Sequence, residues 1–122
     1  MSVLEKLSKK YSLIIATGGP EDSQNYVIDL LGIRHFFKKI YTASGIRKTK
    51  VDGGMFRHIL EDLKLKPSEV LVIGDSFLYD VLGANKAGIR SIWFNTMDEK
   101  KPDPGFDFKE IRNLDELIHI LV

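Results

Sequence analysis

The chain has 122 residues, 43% hydrophobic and 29% charged, enough apolar surface for one core and too little length for two. Eighteen basic against seventeen acidic side chains leave a formal charge of +1, which withholds the positive field a general DNA- or RNA-binding domain uses. The lack of cysteine excludes a disulfide framework, a thiol nucleophile and Cys-ligated zinc, and the apolar runs are too short for a membrane span or signal peptide, so the cytoplasm is the expected compartment.

Val3, Leu4 and Leu7 at helical spacing predict a short amphipathic helix ending before Ser12. Ser12 to Ala16 is a nearly all-apolar run stopped by Thr17-Gly18-Gly19-Pro20, as expected of a parallel strand buried on both faces. A helix from Glu21 follows, with Tyr26, Val27, Leu30 and Leu31 as its core face and Gly32 as its stop. Lys39 to Thr42 reads as a second strand, Gly54 to Leu63 as a helix, and Val70 to Ile73 as the strongest strand. Gly74-Asp75-Ser76 breaks that strand before a helix carrying Leu78, Val81, Leu82 and Ala87 and ending at Gly88. A fourth strand spans Ser91 to Phe94, Asn95 to Gly105 is a loop, and Leu114, Leu117, Ile118 and Leu121 mark a closing helix. Alternation of apolar strands with helices predicts an α/β layered fold of about four mainly parallel strands in one domain, 1–122.

Such sheets bind ligands beyond the carboxyl ends of their strands, and three clusters fall there. Thr17, Gly18 and Gly19 offer a hydroxyl and successive backbone N–H groups before a helix, which suits an anion such as phosphate; taken alone, a plain tight strand-to-helix turn is the simpler reading. Lys50, in a basic loop, can neutralise a phosphoryl oxygen as a point charge, although most surface lysines do nothing of the kind. Asp75 and Asp80 can aim oxygens into the same crevice, where Mg²⁺ prefers carboxylates, phosphate and water; alternatively Asp75 caps a helix and Asp80 is solvated.

Order and spacing then carry a resemblance. Leu13-Ile-Ile-Ala-Thr-Gly-Gly19, Lys50-Val-Asp-Gly-Gly-Met-Phe56, and Val70-Leu-Val-Ile-Gly-Asp-Ser-Phe-Leu-Tyr-Asp80 with Gly83-Ala84, Ala87-Gly88-Ile89 and Ile92-Trp-Phe-Asn95 resemble the haloacid dehalogenase (HAD) superfamily of phosphohydrolases over roughly residues 5–121. The resemblance implies a three-layer Rossmann-like core, with Thr17 (beside Gly18 and Gly19) and Lys50 as phosphate ligands, Asp75 and Asp80 as the acidic metal pair, and Mg²⁺ as cofactor. It also implies a small phosphorylated molecule, or phosphate, as ligand. Val51 departs from the proline that commonly follows the lysine.

The larger departure is that enzymes of this family begin with Asp-x-Asp on a central strand, whose first aspartate attacks phosphorus, and no Asp-x-Asp occurs in these 122 residues. The chain thus resembles the carboxyl-terminal half of such an enzyme, without nucleophile or cap. Ser44, Asp52 and Ser76 are not convincing replacements, because no histidine lies beside them in the motif loops to act as base. A phosphatase-type domain with weak or no turnover alone, a non-catalytic phosphate- or metal-binding module, and a fragment of a longer phosphatase are the readings that follow. His35, His58 and His119 are read as structural.

By the family's order, the lacking strand would lie between the one ending at Ala16 and the one ending at Ile73. Unpaired buried backbone groups cost on the order of 1 to 3 kcal/mol each, so the gap is expected to close. The first expectation is direct pairing of Leu13 to Ala16 with Val70 to Ile73, bringing Thr17 to Asp75; the second is a homodimer or a partner chain that completes the sheet.

Overall fold

The computed structural model describes residues 2–18, 21–101 and 103–121, without the side chains of Ser2 and Glu21. Helix α1 (Ser2–Lys10) packs Val3 and Leu7 inward, with Glu5 in its first turn and Lys9 and Lys10 in its last, complementing the helix dipole. Strand β1 (Leu13–Thr17), helix α2 (Glu21–Leu31) and strand β2 (Phe37–Thr42) follow. After the short α3 (Ala43–Ile46), helix α4 (Gly54–Leu63) buries Met55, Phe56, Ile59 and Leu60, an i, i+4 stripe facing the core. Strand β3 (Leu71–Gly74) leads through a wide π-type turn (Phe77–Leu82) into α5 (Gly83–Lys86), and β4 (Arg90–Phe94), β5 (Lys109–Ile111) and α6 (Glu116–Leu121) complete the chain.

Every strand pair is parallel, and the pairs fall into two sheets, β1–β2 and β3–β4–β5. The same helices cover both. On one face α4 and α5 enclose Phe56, Leu60, Ala84, Ala87 and Ile89, a cluster that takes in Ala16 from β1 and Val72 from β3. On the other face α1 and α6 gather Leu7, Ile92, Ile111 and Leu117 with Leu13 from β1 and Leu71 from β3. Helices on both faces of a parallel sheet make the three-layer α/β architecture that the alternating pattern implied.

Three features differ from the sequence reading. The face expected to pack α2 inward, Tyr26, Val27, Leu30 and Leu31, is exposed, and Ile28 is the residue of that helix that is buried. Residues 109–111, left between loop and final helix, form a fifth strand. It is three residues long, carries charge at Lys109 and Glu110, and buries Ile111 alone, so alternation could not reveal it; the ladder to β4 and the Asn95 N–H to Ile111 carbonyl bond (2.8 Å) define it. Direct pairing of Leu13 to Ala16 with Val70 to Ile73 does not occur: β1 pairs with β2, β3 pairs with β4, and the two lie in different sheets. Helix layers packed over both strands, on both faces, set their separation, and closing it would require repacking both layers. Of the aromatic residues, Phe77, Trp93, Phe106 and Phe108 form one edge-to-face group that holds the last loop down.

Candidate active site

The best-defined polar geometry lies where β3 ends. Ser76 opens the π-type turn as its cap, its hydroxyl accepting from the Tyr79 N–H at 3.1 Å, while its own N–H donates to Asp80 Oδ2 at 3.1 Å. The other oxygen, Asp80 Oδ1, accepts from Lys50 Nζ at 2.8 Å. Both side chains are mostly hidden, Lys50 being 15% and Asp80 6% exposed. A charge pair so withdrawn from water holds its geometry, because separating it would leave an unpaired buried charge.

Two glycines make this approach feasible. A Cβ on Gly74 would sit 2.1 Å from Asp80 Oδ2, and one on Gly83 would sit 2.0 Å from the Lys50 carbonyl oxygen. Any larger residue at either place would push the carboxylate or the lysine loop away. That loop is also fastened from within: the Gly53 N–H donates to the Lys50 carbonyl at 2.9 Å, the Met55 N–H to the Thr49 carbonyl at 2.8 Å, and the Gly54 N–H to Asp52 Oδ1 at 2.8 Å. The Gly54 N–H, helped by the Thr49 hydroxyl, holds the Asp52 carboxyl below its ordinary pKa. Asp52 is therefore engaged at the start of α4.

Asp75 has a different position. Its side chain is exposed, while its backbone carbonyl accepts from the buried Trp93 indole N–H at 3.1 Å, which fixes the main chain from which the carboxylate projects. Thr17 is half-buried at the end of β1, opposite Thr42 in the ladder, and Gly18 is exposed just beyond it. Gly19 lies outside the described residues. The structure thus joins Lys50 to Asp80 and sets Asp75 beside them, whereas Thr17 and Gly18 end the other sheet. Asp80 is buried and ion-paired, so the solvated alternative for it is excluded.

Ser76, Gly74 and Trp93 are the residues whose parts in this arrangement sequence reasoning missed. Ser76 and Gly74 stood inside the Gly-Asp-Ser motif, and the signal for both was the turn itself; the Trp93 bond, formed between sequence-distant strands, had none. Asn95 is buried, and its side-chain amide donates to the Glu99 carbonyl and to Glu110 Oε2, both at 2.8 Å, tying down the loop after β4.

Among the described residues no group of three His, Cys, Asp or Glu side chains converges at metal-binding distance. Asp75 and Asp80 nonetheless suit a hard cation, since one carboxylate is open and the other retains lone pairs beyond those it gives to Lys50 and Ser76; water and phosphate oxygens would have to fill the remaining positions. A cavity of about 500 Å³ lies elsewhere, along β2, lined by Arg34, Lys39, Tyr41, His58 and Asp62 among others. There Lys39 and the Tyr41 hydroxyl both donate to Asp62 Oδ2, Lys39 being the main cause that lowers the Asp62 pKa.

A family model described as haloacid dehalogenase-like hydrolase matches residues 1–88. HAD-hydrolase YfnB of Bacillus subtilis is 28% identical over 98% of this chain and 51% of its own length. The glyceraldehyde 3-phosphate phosphatase of Methanothermobacter thermautotrophicus is 29% identical over 98% of this chain and 55% of its own. The magnesium-bound crystal structure of YfnB superimposes with a TM-score of 0.88 over 98% of this chain and 53% of that one. A HAD phosphatase from Thermococcus onnurineus does so with a TM-score of 0.87 at 31% identity. The chain spans about half the length of the curated relatives it matches.

Proposed function

The chain belongs to the haloacid dehalogenase-like hydrolases, and from that premise we propose that its strand ends form a phosphate- and Mg²⁺-binding half-site of a phosphatase-type hydrolase, with little or no turnover by this chain alone. The observation that carries the reading is the buried Lys50–Asp80 pair at 2.8 Å, braced by the Ser76 N–H. Asp80 holds the lysine ammonium in place, and the ammonium protons not given to Asp80 remain to meet a phosphoryl oxygen. Thr17 and the backbone N–H of Gly18 are assigned to the same phosphate, with Gly19 as a further N–H on sequence grounds. Asp75 is the direct Mg²⁺ ligand, supported by the exposure of its carboxylate and by its fixed main chain; Asp80 assists through its remaining lone pairs. Bound there, the cation would neutralise phosphate charge. Relatives named as phosphatases of small phosphorylated metabolites support a small phosphomonoester as the ligand class.

The expectation of low turnover rests on the sequence, which contains no Asp-x-Asp, and on Asp52, which is already engaged by Gly54 and Thr49 and so is a poor substitute. Titration calorimetry with Mg²⁺ and inorganic phosphate tests the binding part. Heat that Asp75→Asn abolishes while the fold is retained is the expected result; no heat with the unaltered chain overturns the metal and phosphate assignment. A steady, Mg²⁺-dependent release of phosphate from a generic phosphomonoester by the pure chain would overturn the low-turnover part.

A further inference from the structure

We propose that helix α2 is a homodimer interface, across which two copies of this chain lay their α2 helices antiparallel along the stripe of Tyr26, Val27, Leu30 and Leu31. The inference rests on the surface of that helix and goes beyond the phosphate and Mg²⁺ reading.

At 3.6 residues per turn, these four positions fall within a sector of about 140° on one side of α2. That side faces water. Tyr26 is 59%, Val27 47%, Leu30 72% and Leu31 63% exposed, and among the described residues none of the four belongs to a core cluster. The inner side is the poorer one, with Ile28 buried beside the half-buried amides of Gln24 and Asn25. A surface helix ordinarily does the reverse, turning its apolar stripe inward and its polar face to solvent. Apolar residues exposed singly, such as Leu65 or Met97, need no explanation. Four adjoining ones make a patch on the order of a few hundred Å², the size at which a surface marks an interaction site.

Charge selects the occupant. Asp22 is exposed in the first turn of α2, and Arg34 and His35 are exposed in the short 3₁₀ turn that follows the helix. Two copies related by a twofold axis at the middle of the stripe bring Tyr26 of each against Leu31 of the other, and Val27 against Leu30. The same reversal sets Asp22 of each copy at the basic end of the other, so that apolar meets apolar and acid meets base. Parallel pairing would set acid against acid and base against base. A patch that complements its own reverse is what an isologous contact requires, and this identifies the partner as a second copy of the chain. The patch is smaller than the roughly 800 Å² per partner of a standard interface, so the dimer is weak and forms at high concentration.

Sedimentation velocity on the pure chain, from about 10 μM to about 1 mM, is expected to show a monomer–dimer equilibrium. The melting temperature should rise with concentration over the same range. Leu30→Glu with Leu31→Glu alters only side chains already in water, so the circular dichroism of the monomer should stay as it is while the dimer weakens by about tenfold or more. Met97→Glu, at a more exposed apolar residue outside the stripe, should leave the dimer unchanged. Arg34 is occupied within its own chain, donating to Asp29 Oδ1 at 2.6 Å and Asn25 Oδ1 at 2.8 Å, so the charge test uses His35. Asp22→Lys should weaken the dimer by about two- to fivefold, and adding His35→Glu to the same chain should restore it, because the exchanged charges attract only in the antiparallel arrangement. A chain that stays monomeric throughout the range overturns the proposal. So does a dimer that survives the Leu30 and Leu31 changes, which would place the contact elsewhere, or one that Met97→Glu disperses equally, which would make it non-specific association. Failure of His35→Glu to restore the Asp22→Lys chain overturns the antiparallel pairing. None of these readouts involves phosphate or metal, so this proposal and the functional one fail separately.

Discussion

Strands β4 and β1 are both five residues long, both apolar over most of their length, and both followed by a loop at the functional end, yet the fold treats them differently. Ser91, Ile92 and Trp93 of β4 are buried, while no residue of β1 is fully buried. The difference follows partner number: β4 lies between β3 and β5, and β1 borders β2 alone among the described strands. Hydrophobic sequence makes a strand eligible for the interior, but only neighbours on both sides put it there. Stability in this chain should accordingly be concentrated in the β3–β4–β5 half.

The sharpest way to break that comparison is Trp93→Ala. The indole packs edge-to-face against Phe77 with centroids 5.0 Å apart, and its removal should cost about 3–5 kcal/mol, read from urea unfolding followed by circular dichroism. A loss under about 1 kcal/mol would place the stable core elsewhere.

Next in size is a pair of glycine substitutions. Gly83→Ala drives a methyl into the Lys50 carbonyl and should cost about 1–3 kcal/mol, whereas Gly18→Ala, at the end of β1, meets nothing within 4 Å and should stay within about 0.5 kcal/mol of the parent. Equal losses in the two melting curves would contradict the unequal packing of the two strand ends.

Smaller still, Ile92→Val should cost about 1 kcal/mol and the half-buried Ile15→Val less than about 0.5 kcal/mol. Should the order reverse, β1 is more enclosed than its exposure indicates.

The smallest expected effect belongs to the β2 margin and is visible only in acid. Lys39, then the Tyr41 hydroxyl, hold the Asp62 carboxyl below its ordinary pKa, so the folded form binds that proton later than the unfolded form does. The stabilisation is present above the ordinary carboxylate pKa and disappears as pH falls through the lowered one. Melting temperatures of Asp62→Asn should lie below the parent at neutral pH and converge on it in acid; a constant offset across the range would show that the charge is irrelevant.

Much of the fold was legible because its signals are local. Gly32 with its positive φ of 67° ends α2, the stripe through Met55, Ile59 and Leu60 gives α4, and Gly74-Asp75-Ser76 ends β3. What escaped depends on residues far apart in the chain. Strand β5 exists because β4 offers it an edge, and the state of the β1–β3 gap is decided by helices from both ends of the sequence. At the site, Lys50 and Asp80 were each legible from spacing, but their direct pairing across thirty positions was not. Asp80 was read as the second of a metal pair or as a solvated side chain, and only burial shows it as the partner that fixes the lysine while Asp75 stays open.

The bond from the Trp93 indole to the Asp75 carbonyl has a practical consequence. Trp93 is the sole tryptophan in the sequence, so intrinsic emission from this protein reports one ring, buried and joined by a single donor to the backbone from which the exposed carboxylate projects. Any change in how that peptide group is held would alter the polarity sensed by the indole nitrogen and shift the colour of its fluorescence. The chain therefore carries, without a label, an optical probe one peptide unit from the carboxylate assigned to the cation.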